Sequence, residues 1–269
     1  MVPYFLTAIF VVVLLLVFTN RYRKSKGSIV VNIKYGLANR LRALVGFIYV
    51  ARHTNKKLKI YWEKDSACNE YYSNLFQSHP EFVVIETDDV PLYIMKNAKT
   101  TNTIIKSYLG KDHKIDTTEV NKIRCTLKPI KTIQDEIHNF SSKHKIVDRI
   151  GLHIRKTDLA IKYKDNKEMQ FDFHEYIQNN PDEQFFLATD NRVTQQEYIK
   201  KYPKQIVVYK EIAIPTEELV GNARHTPISD ALVDIELLAR CKKIVKTPGS
   251  SYSEYADAKH TCFDLKNFD

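Results

Sequence analysis

The residues best suited to chemistry gather at the end of one apolar run. Ile150, Leu152 and Ile154, with Ile146 and Val147 ahead of them, read as a short buried strand, and His153, Arg155, Thr157 and Asp158 cluster at its close. A guanidinium can hold a phosphate through two parallel charge-assisted hydrogen bonds, and an imidazole and a hydroxyl add polar contacts. An ordinary strand end with a surface ion pair is the competing reading. The rest of the chain has to decide.

Three further stretches carry related chemistry. Near the start, Gly36, Asn39, Arg40 and Arg42 follow a short apolar run. A strand, a glycine turn and a helix N-terminus form a ready anion site. There Gly36 permits a tight turn, Asn39 offers an amide donor, and the arginines supply charge. The spacing matches neither GxGxxG nor GxxxxGK[ST], so no standard dinucleotide fingerprint or P-loop is claimed. A plain turn with Asn39 as a cap is the alternative. Later, Phe185 to Thr189 is an apolar strand that ends at Asp190 and Asn191. A carboxylate there suits a ribose hydroxyl or the N–H groups of guanine, or it caps the next helix. Finally, Gly249, Ser250, Ser251, Tyr252 and Ser253 open a helix after the strand Lys243 to Lys246. Backbone N–H groups and hydroxyls at such a point make a second candidate phosphate cradle. N-capping by a single serine is the bland alternative.

The elements that must position these residues alternate strand and helix. Strands are expected at Ser28–Ile33, Lys57–Trp62, Phe82–Glu86, Phe185–Asp190, Gln205–Tyr209 and Lys243–Lys246. Helices are expected at Ala38–His53, Cys68–Phe76, Ile130–Lys143, Phe171–Asn179, Thr194–Lys201, Asp230–Arg240 and Ser251–Ala258. On the Asp230–Arg240 helix, Asp230 and Asp234 are four apart and share a face. The stretch Asp88–Ile130 is poorly patterned, and residues 162–168 read as a polar loop. This alternation indicates an α/β fold built on open parallel sheets.

Composition narrows the classes. The chain has 269 residues, 43% of them apolar, with 41 Lys and Arg against 32 Asp and Glu, for a net charge of +9. The excess is modest and spread out, beyond a cluster at Arg21, Arg23, Lys24 and Lys26. No basic patch interleaved with aromatics and no nucleic-acid recognition motif stands out, so no nucleic-acid partner is expected. Four cysteines lie far apart with no CxxC, which argues against a zinc site or a dense disulfide framework. Residues 4–19 form an uncharged apolar run near the short limit for a membrane span, and are expected to act as an uncleaved anchor. The basic cluster after that run places the large domain on the cytoplasmic side by the positive-inside rule. The alternative is a type II Golgi or ER protein with a lumenal domain. The sequon Asn139-Phe140-Ser141 points that way but is weak alone.

Taken together, Gly36-Leu-Ala-Asn-Arg-Leu-Arg42, His153-Ile-Arg-Lys-Thr-Asp158, Phe186-Leu-Ala-Thr-Asp190, Asp230-Ala-Leu-Val-Asp234 and Thr247-Pro-Gly-Ser-Ser-Tyr-Ser253 resemble the motifs of the fucosyltransferase-like superfamily. That group includes protein O-fucosyltransferases, α-1,6-fucosyltransferases and nodulation fucosyltransferases. The resemblance spans nearly all of residues 28–260. It implies a GT-B architecture, two Rossmann-like lobes facing a cleft: an acceptor-side lobe over 28–145 and a donor-side lobe over 146–269, after an anchor and basic segment over 1–27. It implies inverting, metal-independent transfer from GDP-fucose to a glycan or protein hydroxyl, with no cofactor. Another GDP- or UDP-linked sugar such as xylose, or a non-catalytic nucleotide- or carbohydrate-binding module, stays open. By similarity, Arg155 holds the donor pyrophosphate and His153 sits beside the nucleotide. Asp190 and Asp234 are the nucleotide-side acids, and Gly249 to Ser253 bind the leaving phosphates. Gly36, Asn39 and Arg40 belong to the loop that closes on donor and acceptor. Asp158, His153 and Glu86 are the candidates for a general base. The chain is shorter than the larger members of the group and shows no obvious accessory domain.

Overall fold

The computed structural model of the chain describes residues 27–88, 90, 96–97, 100–156, 171–213 and 226–264. The proposed anchor at residues 4–19, Thr157, Asp158 and the 162–168 loop lie outside them. Among the described residues no helix is long and apolar enough to cross a membrane.

The first half is a sheet of β1 (Ser28–Ile33), β2 (Lys57–Trp62), β3 (Phe82–Glu86) and the two-residue β4 (Lys96–Asn97). Its order is β3-β2-β1-β4 and every pairing is parallel. Helix α1 (Leu37–Thr54) follows β1. It is buried nearly all round because β1, β2 and the helices α2 (Thr101–Leu109) and α3 (Thr117–Thr126) enclose it. Gly46 lets α2 come close, since a Cβ there would stand 3.2 Å from the Ile104 side chain. Helix α4 (Lys131–His144) closes this half.

The second half repeats the plan. β5 (Ile150–Ile154), β6 (Phe185–Thr189), β7 (Ile206–Val207) and β8 (Lys243–Lys246) stand in the order β7-β6-β5-β8, again all parallel. The period of two along β6 sends Phe185 and Leu187 to one core and Phe186 and Ala188 to another. The first core lies under α5 (Phe173–Gln178) and α6 (Arg192–Lys201). The second, under α7 (Ile228–Arg240) and α8 (Ser251–Asp264), is continuous with the core of the first half. Helix α8 packs on α7 but also on α3 and α1, so the final helix returns to the first sheet's side. Three links fix that return: the Cys125–Cys262 disulfide, the buried Lys259–Glu236 ion pair at 2.5 Å, and an Arg42–Glu254 pair at 3.2 Å.

Several expectations need correction. The helix expected over Cys68–Phe76 is only a 3-10 turn at Tyr72–Asn74. Asp65 accepts from the N–H groups of Ala67 and Cys68, and Trp62 Nε1 donates to Glu70 O at 2.8 Å. These bonds hold the backbone in a turn and an extended segment. The poorly patterned stretch holds α2 and α3, capped by Thr100 and Asp116.

Candidate functional site

In open parallel sheets ligands sit beyond the carboxyl ends of the strands, where the strand order reverses. In the second sheet that point falls between β5 and β8, because the chain runs outward from β5 to β7 and then crosses back to β8. Arg155 follows β5 there, and Thr247 to Ser253 follow β8. The two ends are joined directly. The Arg155 N–H donates to Thr247 Oγ1 at 3.0 Å, and the Thr247 N–H donates to His153 O at 3.0 Å.

The next strand end completes the group. Asp190 accepts from the Lys156 N–H at 2.9 Å, and its other oxygen lies 3.7 Å from Arg155 Nε. Capping falls to the neighbouring residue: Asn191 Oδ1 accepts from the Thr194 N–H at 2.8 Å and opens α6. Asp190 therefore serves the β5 loop and orients the Arg155 guanidinium, which keeps 29% of its side-chain surface open.

The turn after β8 is shaped for close approach. Gly249 has φ 71°, a left-handed conformation that side chains with a Cβ resist. Behind it α8 begins at Ser251, and the Glu254 N–H makes an early helical bond to Ser250 O at 3.0 Å. The first N–H groups of such a helix have no partner within it and favour an anion. Ser250 is 2% exposed and its hydroxyl finds no hydrogen-bond partner among the described residues. Ser251 is half-buried at the helix start. Two neighbours expected to touch phosphate do other work. Ser253 is fully buried and its hydroxyl donates back to Ser250 O at 3.3 Å. Tyr252 donates its hydroxyl to Ala231 O at 2.6 Å and stacks its ring on His153, with centroids 4.9 Å apart. The tyrosine thus ties α8 to α7 and to β5, and the imidazole of His153 is 4% exposed. Asp234 is half-buried on α7, one turn beyond Asp230, which pairs with Lys210 at 2.8 Å.

The first half brings a second loop, between β1 and α1, and here two expectations change. Arg40 is turned into the protein rather than toward the loop's outer face. It is 0% exposed, lies over the Trp62 ring, and gives hydrogen bonds of 2.7 Å to Tyr35 O, Glu63 O and Asp65 Oδ2. A buried cation holding three oxygens fixes the loop rather than reaching out of it. Gly36 does not supply the unusual backbone, for its φ is −57°; the left-handed residue is the exposed Tyr35, at φ 75°. A Cβ on Gly36 would meet only Ala67 O, at 3.9 Å. Asn39 is half-buried in the first turn of α1. Tyr35 escaped sequence reading because nothing in its type signals a left-handed conformation. Glu86 accepts from the N–H and the hydroxyl of Ser73, at 2.6 and 2.9 Å.

No protein-family model matches the sequence, and no curated protein matches it either. Solved structures do. The described architecture, two parallel sheets flanked by helices, is similar to that of fucosyltransferase structures. NodZ α-1,6-fucosyltransferase soaked with GDP-fucose is 15% identical, with a TM-score of 0.57 over 86% of this chain and 92% of that one. Fucosyltransferase NodZ from Bradyrhizobium gives 0.57 at 16% identity, over 86% and 93%. POFUT1 in complex with GDP gives 0.52 at 10% identity, over 87% and 95%. These structural neighbours are fucosyltransferases, the group that the motifs resemble. At such identities the likeness defines the fold.

Proposed function

We propose that the chain is a glycosyltransferase that moves a sugar from a nucleotide donor to a glycan or protein hydroxyl, with GDP-fucose the first-choice donor and inversion the expected outcome. One observation carries the reading. Arg155 and the Gly249–Ser251 turn adjoin each other at the reversal point of the second sheet, through the Arg155–Thr247 hydrogen bond. A nucleotide diphosphate is the kind of ligand that such a pairing suits. The fold shared with NodZ soaked with GDP-fucose and POFUT1 bound to GDP supports the same donor.

The chemistry follows from the charge. As the acceptor hydroxyl attacks and the sugar takes on oxocarbenium character, the diphosphate gains negative charge. Arg155, oriented by Asp190, and the first N–H groups of α8 are fixed donors that meet that charge without rearranging. Since they take the part that a divalent ion plays elsewhere, transfer is expected to persist in a chelator. Asn39, in the first turn of α1, is assigned to the sugar or the acceptor hydroxyl, and the base is to be sought among Asp158, His153 and Glu86.

A donor screen tests this. GDP-fucose, other GDP sugars, and UDP sugars including UDP-xylose are offered with a glycan mixture, with and without EDTA, and product masses are read. Product from GDP-fucose in both buffers is expected. Arg155→Ala should lose roughly 2.7–4 kcal/mol of barrier stabilisation, about a hundred- to a thousandfold in kcat. Undiminished transfer in that variant removes Arg155 from the site. GDP binding without any nucleotide released would instead make the chain a binding module.

A further inference from the structure

A second basic cavity, of about 290 Å³, lies where α1, α2, α3 and α8 meet. Arg42 enters it from α1 and Arg124 from α3, with Tyr255 of α8 between them and the first turn of α2 forming a wall. Arg124 is 6% exposed, yet its Nε has no hydrogen-bond partner among the described residues. Its Nη1 donates to Asn121, and its guanidinium carbon lies 5.5 Å from the centre of the Tyr255 ring. Tyr255 is 2% exposed and its hydroxyl is likewise unpartnered. Both side chains line the cavity, although these two atoms are themselves closed to water.

Charge gives the ligand's sign. Two guanidinium groups face one carboxylate, Glu254, which pairs with Arg42 and is half open to solvent. Burial, and then the Arg42 charge, hold the Arg124 guanidinium below its usual pKa. An anion between the two would relieve both effects. The N-terminal turn of α2, where Thr100 caps the Thr103 N–H, adds the positive end of the helix. Thr101 anchors that turn by donating its hydroxyl to Arg42 O at 2.9 Å. The frame is held by the Cys125–Cys262 disulfide, one residue from Arg124.

We propose that this cavity binds a compact oxyanion, a sulfate, phosphate or carboxylate group carried on the acceptor sugar. Arg42 lies one turn along α1 from Asn39, and Glu254 one turn along α8 from Ser251, so the cavity adjoins the donor site from both sides. Naming the acceptor as the source rests on the glycosyltransferase reading. The oxyanion site itself does not.

Inorganic sulfate and phosphate are titrated calorimetrically into the wild type, Arg124→Gln, Tyr255→Phe and Arg155→Gln, with circular dichroism as a check on the folding of each and GDP titrated into the wild type and the two cavity variants. Saturable anion binding is expected in the wild type and in Arg155→Gln. It should fall tenfold or more in Arg124→Gln, the scale of one lost charge-assisted hydrogen bond, and less in Tyr255→Phe. GDP affinity should hold in both cavity variants. Should Arg124→Gln not fold, Arg42→Gln on the more open wall takes its place. Binding that disappears with Arg155 and survives loss of Arg124 or Arg42 belongs to the donor site, and overturns the proposal. So does an absence of saturable binding. A second arm compares a 6-sulfated with an unsulfated monosaccharide in the presence of GDP. Tighter binding of the sulfated sugar, lost in Arg124→Gln, supports the acceptor assignment, and equal affinity ends it. A wild type that takes sulfate through Arg124 but never binds GDP would sink the donor reading and leave the oxyanion site standing.

Discussion

Asp190 and Asn191 divide between them two tasks that either could perform. The asparagine caps α6, and the aspartate is freed to fix the Lys156 amide and face Arg155. Which residue took which task was not legible in the sequence, because both are equally good caps. Arg40 shows the same limit more sharply. A guanidinium reads as positive charge whether it faces solvent or is enclosed by three oxygens and an indole, and only the fold separates the two. Gly249, in contrast, was legible, since its left-handed backbone restricts the residue type. Gly249→Ala should cost about 1–2 kcal/mol and displace Ser250, so a denaturant titration and a GDP titration should both worsen. Cys241 yields a prediction with a definite sign. Burial raises its thiol to about 12, which disfavours the thiolate, and Cys68 is also buried. With Cys125 and Cys262 paired, native protein should not react with Ellman's reagent near neutral pH. Unfolding without reductant should release two thiols.

At the scale of elements, β1, β2, β3 and β8 read correctly to the residue, because short apolar runs of β-branched and aromatic residues have few other uses. Helices α2 and α3 did not read. They are short, and α3 buries only Val120, Ile123 and Arg124, too little to set up a visible period. Their role is positional: both line the basic cavity, and α3 receives α8. The seam between α7, α8 and the end of α3 depends on Lys259, which is 5% exposed, pairs with Glu236 and donates to Leu127 O at 3.2 Å. Lys259→Ala should lower stability by about 3 kcal/mol, the low end for a broken buried pair, because Arg240 still faces Glu236 at 3.1 Å. Adding Glu236→Gln should return part of that loss, as chemical denaturation of the single and double variants would show.

For the molecule as a whole, two features favour opposite compartments. The basic cluster at residues 21–26 favours a cytoplasmic catalytic region by charge bias. A disulfide that joins residues 137 apart belongs in an oxidising one, and that pairing could not be read from four scattered cysteines. We propose, giving the disulfide more weight, that the described region faces an oxidising lumen. Asn139 lies exposed on α4 within its sequon. Made through a eukaryotic secretory pathway, the chain should carry one glycan there, removed by Asn139→Gln, and peptide mapping without reductant should recover Cys125 joined to Cys262. An unglycosylated chain with four reduced cysteines would favour the cytoplasm instead.

The return of α8 also sets an order of events during synthesis. Helices α1 and α3 are translated early, yet part of the surface they bury is covered by α8, more than a hundred residues downstream. A ribosome must therefore add more than a hundred further residues before the opening sheet's helices gain this neighbour. Until then they present apolar surface that a chaperone would recognise.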